Sequence, residues 1–276
     1  MKQEKRLSMT LYMIGIGLND EKDITLKGLE IVKRSKVVYL ESYTSSLNCK
    51  KEDLEKLYGK TVLLADRDFV EKRGDEIIDA AKNDNISILV IGDPMSATTH
   101  TDLFLRAKHK GVDIQIINNA SVLTAVGIVG LELYKYGKTT SIVFPQEGWE
   151  VETHYDVVKE NKKRGLHTLC LLDIKTKEPS KTELKKDSPS SYEEPKFMTI
   201  GEAIKSFLDI ENKRKQKVFT GSTICIGCAR LGSDKYKIKA GKAKDILNDE
   251  FGPPLHCLIV PGKLHFIEEE ALELWK

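Results

Sequence analysis

Along the first two-thirds of the chain, apolar residues fall into short β-branched runs separated by stretches with helical spacing. This is the pattern of strands laid into a largely parallel sheet with helical crossovers. Strands are expected at Leu11–Gly15, Val37–Leu40, Thr61–Leu64, Ser87–Ile91 and Asp113–Ile117. Between them, Thr25–Ser35 carries Leu26, Leu29 and Val32 on one helical face, and Phe69–Lys82 carries Val70, Ile77, Ile78 and Ala81. A second series opens with an apolar helix, Ser121–Tyr134, and continues through strands at Ser141–Phe144, Thr168–Asp173, Ser222–Gly227 and Cys257–Pro261. The economical architecture is two α/β domains in tandem, residues 1–117 and 118–276, each a sheet flanked by helices. The pattern breaks at Lys175–Pro195, where ten charged residues and three prolines stand among 21 positions. Such a stretch buries too little to offset its ordering entropy and reads as a long exposed loop. It ends where Thr199 and Glu202 have the spacing of a capping box, ahead of the apolar face Ala203, Ile204, Phe207 and Leu208.

The 276 residues suit about two domains, and 40% apolar residues suit a globular chain. Lysine plus arginine (44) nearly balance aspartate plus glutamate (42), for a net charge of +2. That is far from the one-sided basic field of a protein that binds nucleic acid by neutralising phosphates, so no nucleic-acid partner is expected. The five cysteines are odd in number and mostly sit in apolar runs, which reads as reduced and intracellular. Lys2, Lys5 and Arg6 precede an apolar stretch from Met9 to Leu18, but Asn-Asp-Glu-Lys-Asp follows it with no small-residue cleavage site. The longest uncharged apolar run, Val122–Leu131, is about half of what a membrane span requires. A cytoplasmic protein without membrane partners is the expectation.

Three turns could carry chemistry. Gly15-Ile16-Gly17 follows the first strand and has a dinucleotide look, yet Asp20 stands where the third glycine of that fingerprint belongs, and Glu21 and Asp23 crowd the turn. A phosphate cradle is a poor fit there, and a tight strand-to-helix turn without a ligand is the bland alternative. Gly92-Asp93-Pro94, leading into Met95-Ser96-Ala97, follows another strand, at the carboxyl end where open parallel sheets bind ligands. Asp93 either aims a carboxylate into the crevice or serves only as an Asx-turn residue. Asn118-Asn119-Ala120-Ser121-Val122 follows the fifth strand, with Ser121 placed as an N-cap whether or not a ligand is bound. Cys225-Ile-Gly-Cys228 has the spacing of a metal or redox pair but lies in an apolar strand without a second pair, so a buried structural role is preferred and no metal is expected. The runs Lys162-Lys163-Arg164 and Lys213-Arg214-Lys215 end helices, where cations complement the dipole. His256 is the one histidine at a strand entry, a position more often filled by a satisfied core histidine.

The runs GIGLNDEKDITLKGLEIVKRSKVVYLESYTS (15–45), GDPMSATTHTDL (92–103), NNASVLTAVGIVGLELYKYG (118–137) and GLHTLCLLDIKTKE (165–178) resemble the diphthine synthases. These are tetrapyrrole-methylase-like methyltransferases dependent on S-adenosylmethionine, and the resemblance extends from Met9 onward. It implies a homodimer of two-domain α/β subunits with the cofactor in the interdomain cleft and S-adenosylhomocysteine as its product. It implies elongation factor 2 as substrate, methylated repeatedly on the amine of a 3-amino-3-carboxypropyl group carried by one histidine. In the eukaryotic type, which the Lys175–Pro195 loop resembles, the carboxylate is methylated as well. The family's cofactor-binding positions map onto Leu18, Asp93, Ser96, Ser121 and Val122, and in the second domain onto Leu172, Leu231 and His256. Asp93 would accept the positive part of the ligand, and Leu18, Val122, Leu172 and Leu231 would enclose its apolar surface. No residue is nominated as a proton acceptor. The alternatives are a methyltransferase of the same fold acting on a tetrapyrrole or other small molecule, a nicotinamide-dependent oxidoreductase, and a non-catalytic binding module.

Overall fold

A computed structural model describes residues 9–42, 45, 47–97, 99–145, 148, 151–175 and 194–276. The greater part of the expected exposed loop, 176–193, lies outside the described residues. The chain divides into two units between Val122 and Leu123.

The first unit is an open parallel sheet. Its strands are β1 (Thr10–Gly15), β2 (Val37–Glu41), β3 (Val62–Ala65), β4 (Ile86–Val90) and β5 (Asp113–Ile117), in the order β3-β2-β4-β1-β5. All neighbours run parallel, with Leu11 beside Ile86 and Ile114. Every residue of β1 and β4 is buried, as parallel strands covered on both faces require. One face packs Tyr12, Ile14, Val38, Leu40 and Leu89 against helices α1 (Leu26–Arg34) and α2 (Lys51–Tyr58). The other packs Leu11, Met13, Ile86, Ile88 and Val90 against α3 (Arg67–Ala80) and α4 (Thr101–His109). Thr25 and Asp66 cap α1 and α3, accepting from Gly28 N and Phe69 N.

The second unit departs from the expected elements in two places, the apolar stretch 121–134 and a strand at Lys237–Lys242. The apolar stretch 121–134 is not one helix. A short α5 (Val122–Ala125) passes into a 3-10 turn at Val126–Val129 and stops at Gly130, whose φ is 89°. A Cβ on Gly130 would lie 2.3 Å from that of Ala271, so close approach by the last helix, α9 (Phe266–Glu273), ends the segment. The sheet, whose strand directions the apolar pattern does not specify, is mixed. It comprises β6 (Thr140–Ile142), β7 (Thr168–Leu172), β10 (Ile224–Ala229), β11 (Lys237–Lys242) and β12 (His256–Val260), in the order β11-β10-β12-β7-β6, and only β6 and β7 pair in parallel. The lysine-rich β11, which no apolar run announced, is an edge strand in which Ala240 N donates to Trp275 O.

Helices α6 (Thr153–Lys163) and α7 (Ile200–Arg214) cover one face of this sheet through Tyr155, Val158, Ile204 and Phe207. The Thr199–Glu202 capping box is present, and the short strands β8 (Ile174–Lys175) and β9 (Lys196–Phe197) pair beside it. A four-residue α8 (Ala243–Ile246) follows β11. Of the cations at the helix ends, Lys163, Arg164, Lys213 and Lys215 are exposed, as a solvated face requires, while Lys162 and Arg214 are engaged. Arg214 pairs with Glu152 and Asp156, and Lys162 donates to Val218 O. Cys225 and Cys228 are buried free thiols, with Cys228 opposite Cys257 on β12. Among the described residues, no group of three potential ligands is placed to hold a metal, and no helix is long and apolar enough to cross a membrane.

Candidate functional site

The carboxyl ends of β1, β4 and β5 are adjacent in the sheet, so the three turns singled out in sequence meet. Gly17 and Gly92 form a two-way bridge, with Gly92 N donating to Gly17 O at 2.7 Å and Gly17 N to Gly92 O at 3.4 Å. Both have φ of 79°, a conformation that favours glycine. A Cβ on Gly15 would lie 2.6 Å from Gly92 O, 2.8 Å from Asn119 Cβ and 3.0 Å from Pro94 Cδ. One missing methyl thus marks the point where all three turns touch.

Asp93 links the second turn to the third. Its Oδ1 accepts from Met95 N (2.9 Å) and Ser96 Oγ (3.1 Å), and its Oδ2 from Asn118 Nδ2 (2.9 Å) and Asn119 N (3.1 Å). The Asx-turn expectation therefore holds, and the carboxylate also reaches a neighbouring strand end. Burial opposes its ionisation, but the donors from Asn118, Met95, Asn119 and Ser96 together hold the carboxyl below its ordinary value. Asn119 links the third turn to the first, its Nδ2 donating to Gly15 O and Asp23 O at 2.9 Å each. Asp23 completes the set by accepting Leu18 N (3.1 Å) and Asn19 N (2.7 Å) on Oδ2. Asp20 caps the next turn through Lys22 N. Two of the acids that crowd the first turn are therefore directed onto its own backbone. These ties also keep Asn118 and Asn119 with the first unit beyond the end of β5.

Of the positions expected in this unit, Leu18 and Val122 are half-buried, while Asp93 and Ser121 are buried. Ala97, after Ser96, has φ of 54°. A Cβ on Gly92 would be in ordinary van der Waals contact with Leu18 Cδ2 and Ala120 O, both at 3.7 Å, so the left-handed φ rather than crowding favours glycine there. Beneath the second turn lies a pair that the motifs did not expose. His100 Nδ1 is 3.2 Å from Pro94 O, and its Nε2 is 3.6 Å from the carboxylate of Glu41 at the end of β2, both side chains being fully buried.

In the second unit, β7 ends at Leu172, β12 begins at His256, and β10 ends at Ala229 opposite His256. Leu172, Leu231 and His256 are thereby brought to one end of the sheet. His256 Nε2 faces the carbonyls of Gly252 and Pro253, each at 3.1 Å, and so carries the ring proton. Its Nδ1 is then a bare acceptor, buried and without a hydrogen-bond partner among the described residues. Burial holds its pKa below the ordinary value, which keeps the ring neutral. Arg230 braces the same loop by donating to Phe251 O and Pro253 O.

Comparison with known proteins places this geometry. Residues 10–246 match the family model of the Tetrapyrrole (Corrin/Porphyrin) Methylases. The diphthine methyl ester synthase of Homo sapiens is 47% identical over 270 residues, covering 96% of this chain and 94% of the human protein. The diphthine synthase of Methanocaldococcus jannaschii is 47% identical over 264 residues, covering 95% and 97%. A crystal structure of a diphthine synthase superposes with a TM-score of 0.83 at 34% identity, covering 96% of this chain and 95% of that one.

Proposed function

Because the chain belongs to the tetrapyrrole methylases, and within them to the diphthine synthases, we propose that it methylates the modified histidine of elongation factor 2. It is an S-adenosylmethionine-dependent methyltransferase of diphthamide biosynthesis. The observation that carries the reading is the near-full-length likeness to diphthine synthases of both eukaryotic and archaeal origin. The acceptor is the amine of the 3-amino-3-carboxypropyl group, and the eukaryotic type of product adds a methyl ester on its carboxylate. The protein acts in the cytoplasm as a homodimer.

The residues present suit the methyl donor. S-adenosylmethionine has no phosphate, so the acids of the first turn do not exclude it. When bound, it supplies an electrophilic methyl group on a sulfonium. In the first unit, Leu18, Ser96, Ser121 and Val122 stand on or beside the three turns that meet at Gly15, and Asp93 holds those turns together. In the second unit, Leu172 and Leu231 offer apolar surface, and the bare Nδ1 of His256 accepts a hydrogen bond from a donor on the ligand. Methyl transfer from sulfonium to amine moves charge rather than creating it, so the protein's work is orientation and exclusion of water.

The test is transfer of labelled methyl from S-adenosylmethionine to elongation factor 2, compared between the factor bearing the aminocarboxypropyl histidine and the unmodified factor. Label should enter only the first. Label entering a tetrapyrrole or another small molecule instead would favour the other acceptor class of this fold.

A further inference from the structure

Asn119 makes contacts that a ligand-binding residue would not. A side-chain amide has two N–H donors and a carbonyl oxygen with two lone pairs, and both donors and one lone pair are used internally. Nδ2 donates to Gly15 O at the end of β1 and to Asp23 O in the turn beyond it, while Oδ1 accepts from Ala120 N at 2.7 Å. Its backbone N donates to Asp93, and its Cβ is one of the atoms that forbid a side chain at Gly15. Asp23, whose carbonyl it holds, in turn carries the amides of Leu18 and Asn19. A connected path therefore runs from Asp93 through Asn119 and Asp23 to the backbone of Leu18, joining strand ends more than 70 residues apart in sequence.

Asp93 is as fully used as Asn119. A carboxylate offers about four lone-pair positions, and those of Asp93 take Met95 N, Ser96 Oγ, Asn118 Nδ2 and Asn119 N. Little acceptor capacity is left for a cation on a ligand. We propose that Asn119 is a positioning residue for the methyl donor, setting the Leu18 turn against the other two strand ends, and that Asp93 acts through Asn119 rather than by pairing with the positive part of the donor. This rests on the reading that S-adenosylmethionine binds at these turns.

The test uses the full chain and three variants: Asn119→Asp, Asp93→Asn and the double substitution. Asn119→Asp keeps the volume but replaces two donations with a carboxylate facing two carbonyls. Affinity for S-adenosylhomocysteine, measured by calorimetry, should fall about tenfold or more, as loss of two ordinary hydrogen bonds implies. KM for S-adenosylmethionine should rise in step, while kcat at saturating donor and KM for the modified elongation factor stay within about twofold of the parent. Asp93→Asn should weaken binding as well, and the double variant should be no weaker than the worse single one, because both changes cut the same path. If Asn119→Asp does not fold, Asn119→Ser supplies the same readouts with one hydroxyl donor retained.

Unchanged affinity in a folded Asn119 variant would overturn the proposal. So would additive losses in the double variant, which would mean that Asp93 touches the ligand on its own account. A fall in melting temperature with no split between KM and kcat would reduce Asn119 to a purely structural role. If the parent protein itself fails to bind S-adenosylhomocysteine, the reading of the site fails before the variants are considered, so the two failures are distinguishable.

Discussion

Glu268 offers a sharp test of how the second unit is held together. Its side chain is fully buried on α9, beside an equally buried His167. Oε1 accepts from Glu132 N and His167 Nε2, both at 3.0 Å, and Oε2 accepts from His265 N at 2.8 Å and from the Lys135 ammonium. Gly262 N donates to His167 Nδ1 at 3.1 Å, which fixes the neutral ring with its proton on Nε2, facing the carboxylate. Burial opposes ionisation of Glu268, yet these donors overcome it and lower the carboxyl from 4.5 to about 2. A difference of that size corresponds to about 3 kcal/mol of folding stability.

Because the folded value lies below the unfolded one, this contribution is complete above about pH 4.5 and is lost as pH falls toward about 2. His167 acts in the same direction. Burial holds its pKa below 6.5, so under that pH the unfolded chain takes up a proton that the folded chain does not. Glu268→Gln keeps the shape but sets an amide N–H₂ among donors and leaves Lys135 without its closest anion. The variant should be less stable by about 3 kcal/mol near neutral pH, and the gap to the parent should close on acidification below about pH 4. The assay is urea unfolding read by the fluorescence of Trp275, whose indole donates to Val129 O beside α9, in a Trp149→Phe background. A gap that stays constant with pH, or the absence of a gap, would refute the reasoning.

Three further outcomes are expected. Gly15→Ala should abolish S-adenosylhomocysteine binding in calorimetry, because the new methyl would lie 2.6 Å from Gly92 O and 2.8 Å from Asn119 Cβ, and neither atom is free to move. Glu211→Ala should cost about 3 kcal/mol in thermal or urea unfolding while leaving methylation per folded molecule unchanged, since it strands Tyr155 OH and the amides of Lys217, Val218 and Phe219. Burial pushes the thiol of Cys225 up to about 12 and, as the larger cause, that of Cys49 up to about 11, so the native protein should react slowly with a thiol-disulfide reagent at neutral pH and reveal five thiols only in denaturant.

The first unit was legible because a parallel sheet covered on both faces writes itself as unbroken apolar runs. β5 was placed residue for residue, and β1, β2, β3 and β4 within one position at each end. What escaped depended on distant partners. The apolar stretch after Ser121 looks helical throughout, and only Ala271, 141 positions beyond Gly130, explains the left-handed stop. β11, Lys-Ile-Lys-Ala-Gly-Lys, carries three lysines and a glycine, which an edge strand tolerates but local reading assigns to loop.

The same holds within the site. The three turns were found from glycine, proline and short polar residues following apolar runs, and the sheet does bring them together. The roles inside them were not readable, because Asn119 bonds Gly15 across 104 positions and nothing in its neighbourhood announces that. Asp23 looked like a repulsive acid near a glycine turn, although its carboxylate is committed to two backbone amides of that turn. His100 and Glu41 form a buried pair across 59 positions, with no motif to mark it.

The most direct test of the central claim is mass spectrometry of elongation factor 2 carrying the aminocarboxypropyl histidine, incubated with the protein and S-adenosylmethionine. Methyl groups should accumulate on that histidine alone and reach four, three on the amine and one on the carboxylate. An unmethylated factor in the presence of demonstrably bound donor, or methylation elsewhere on the factor, would contradict the account.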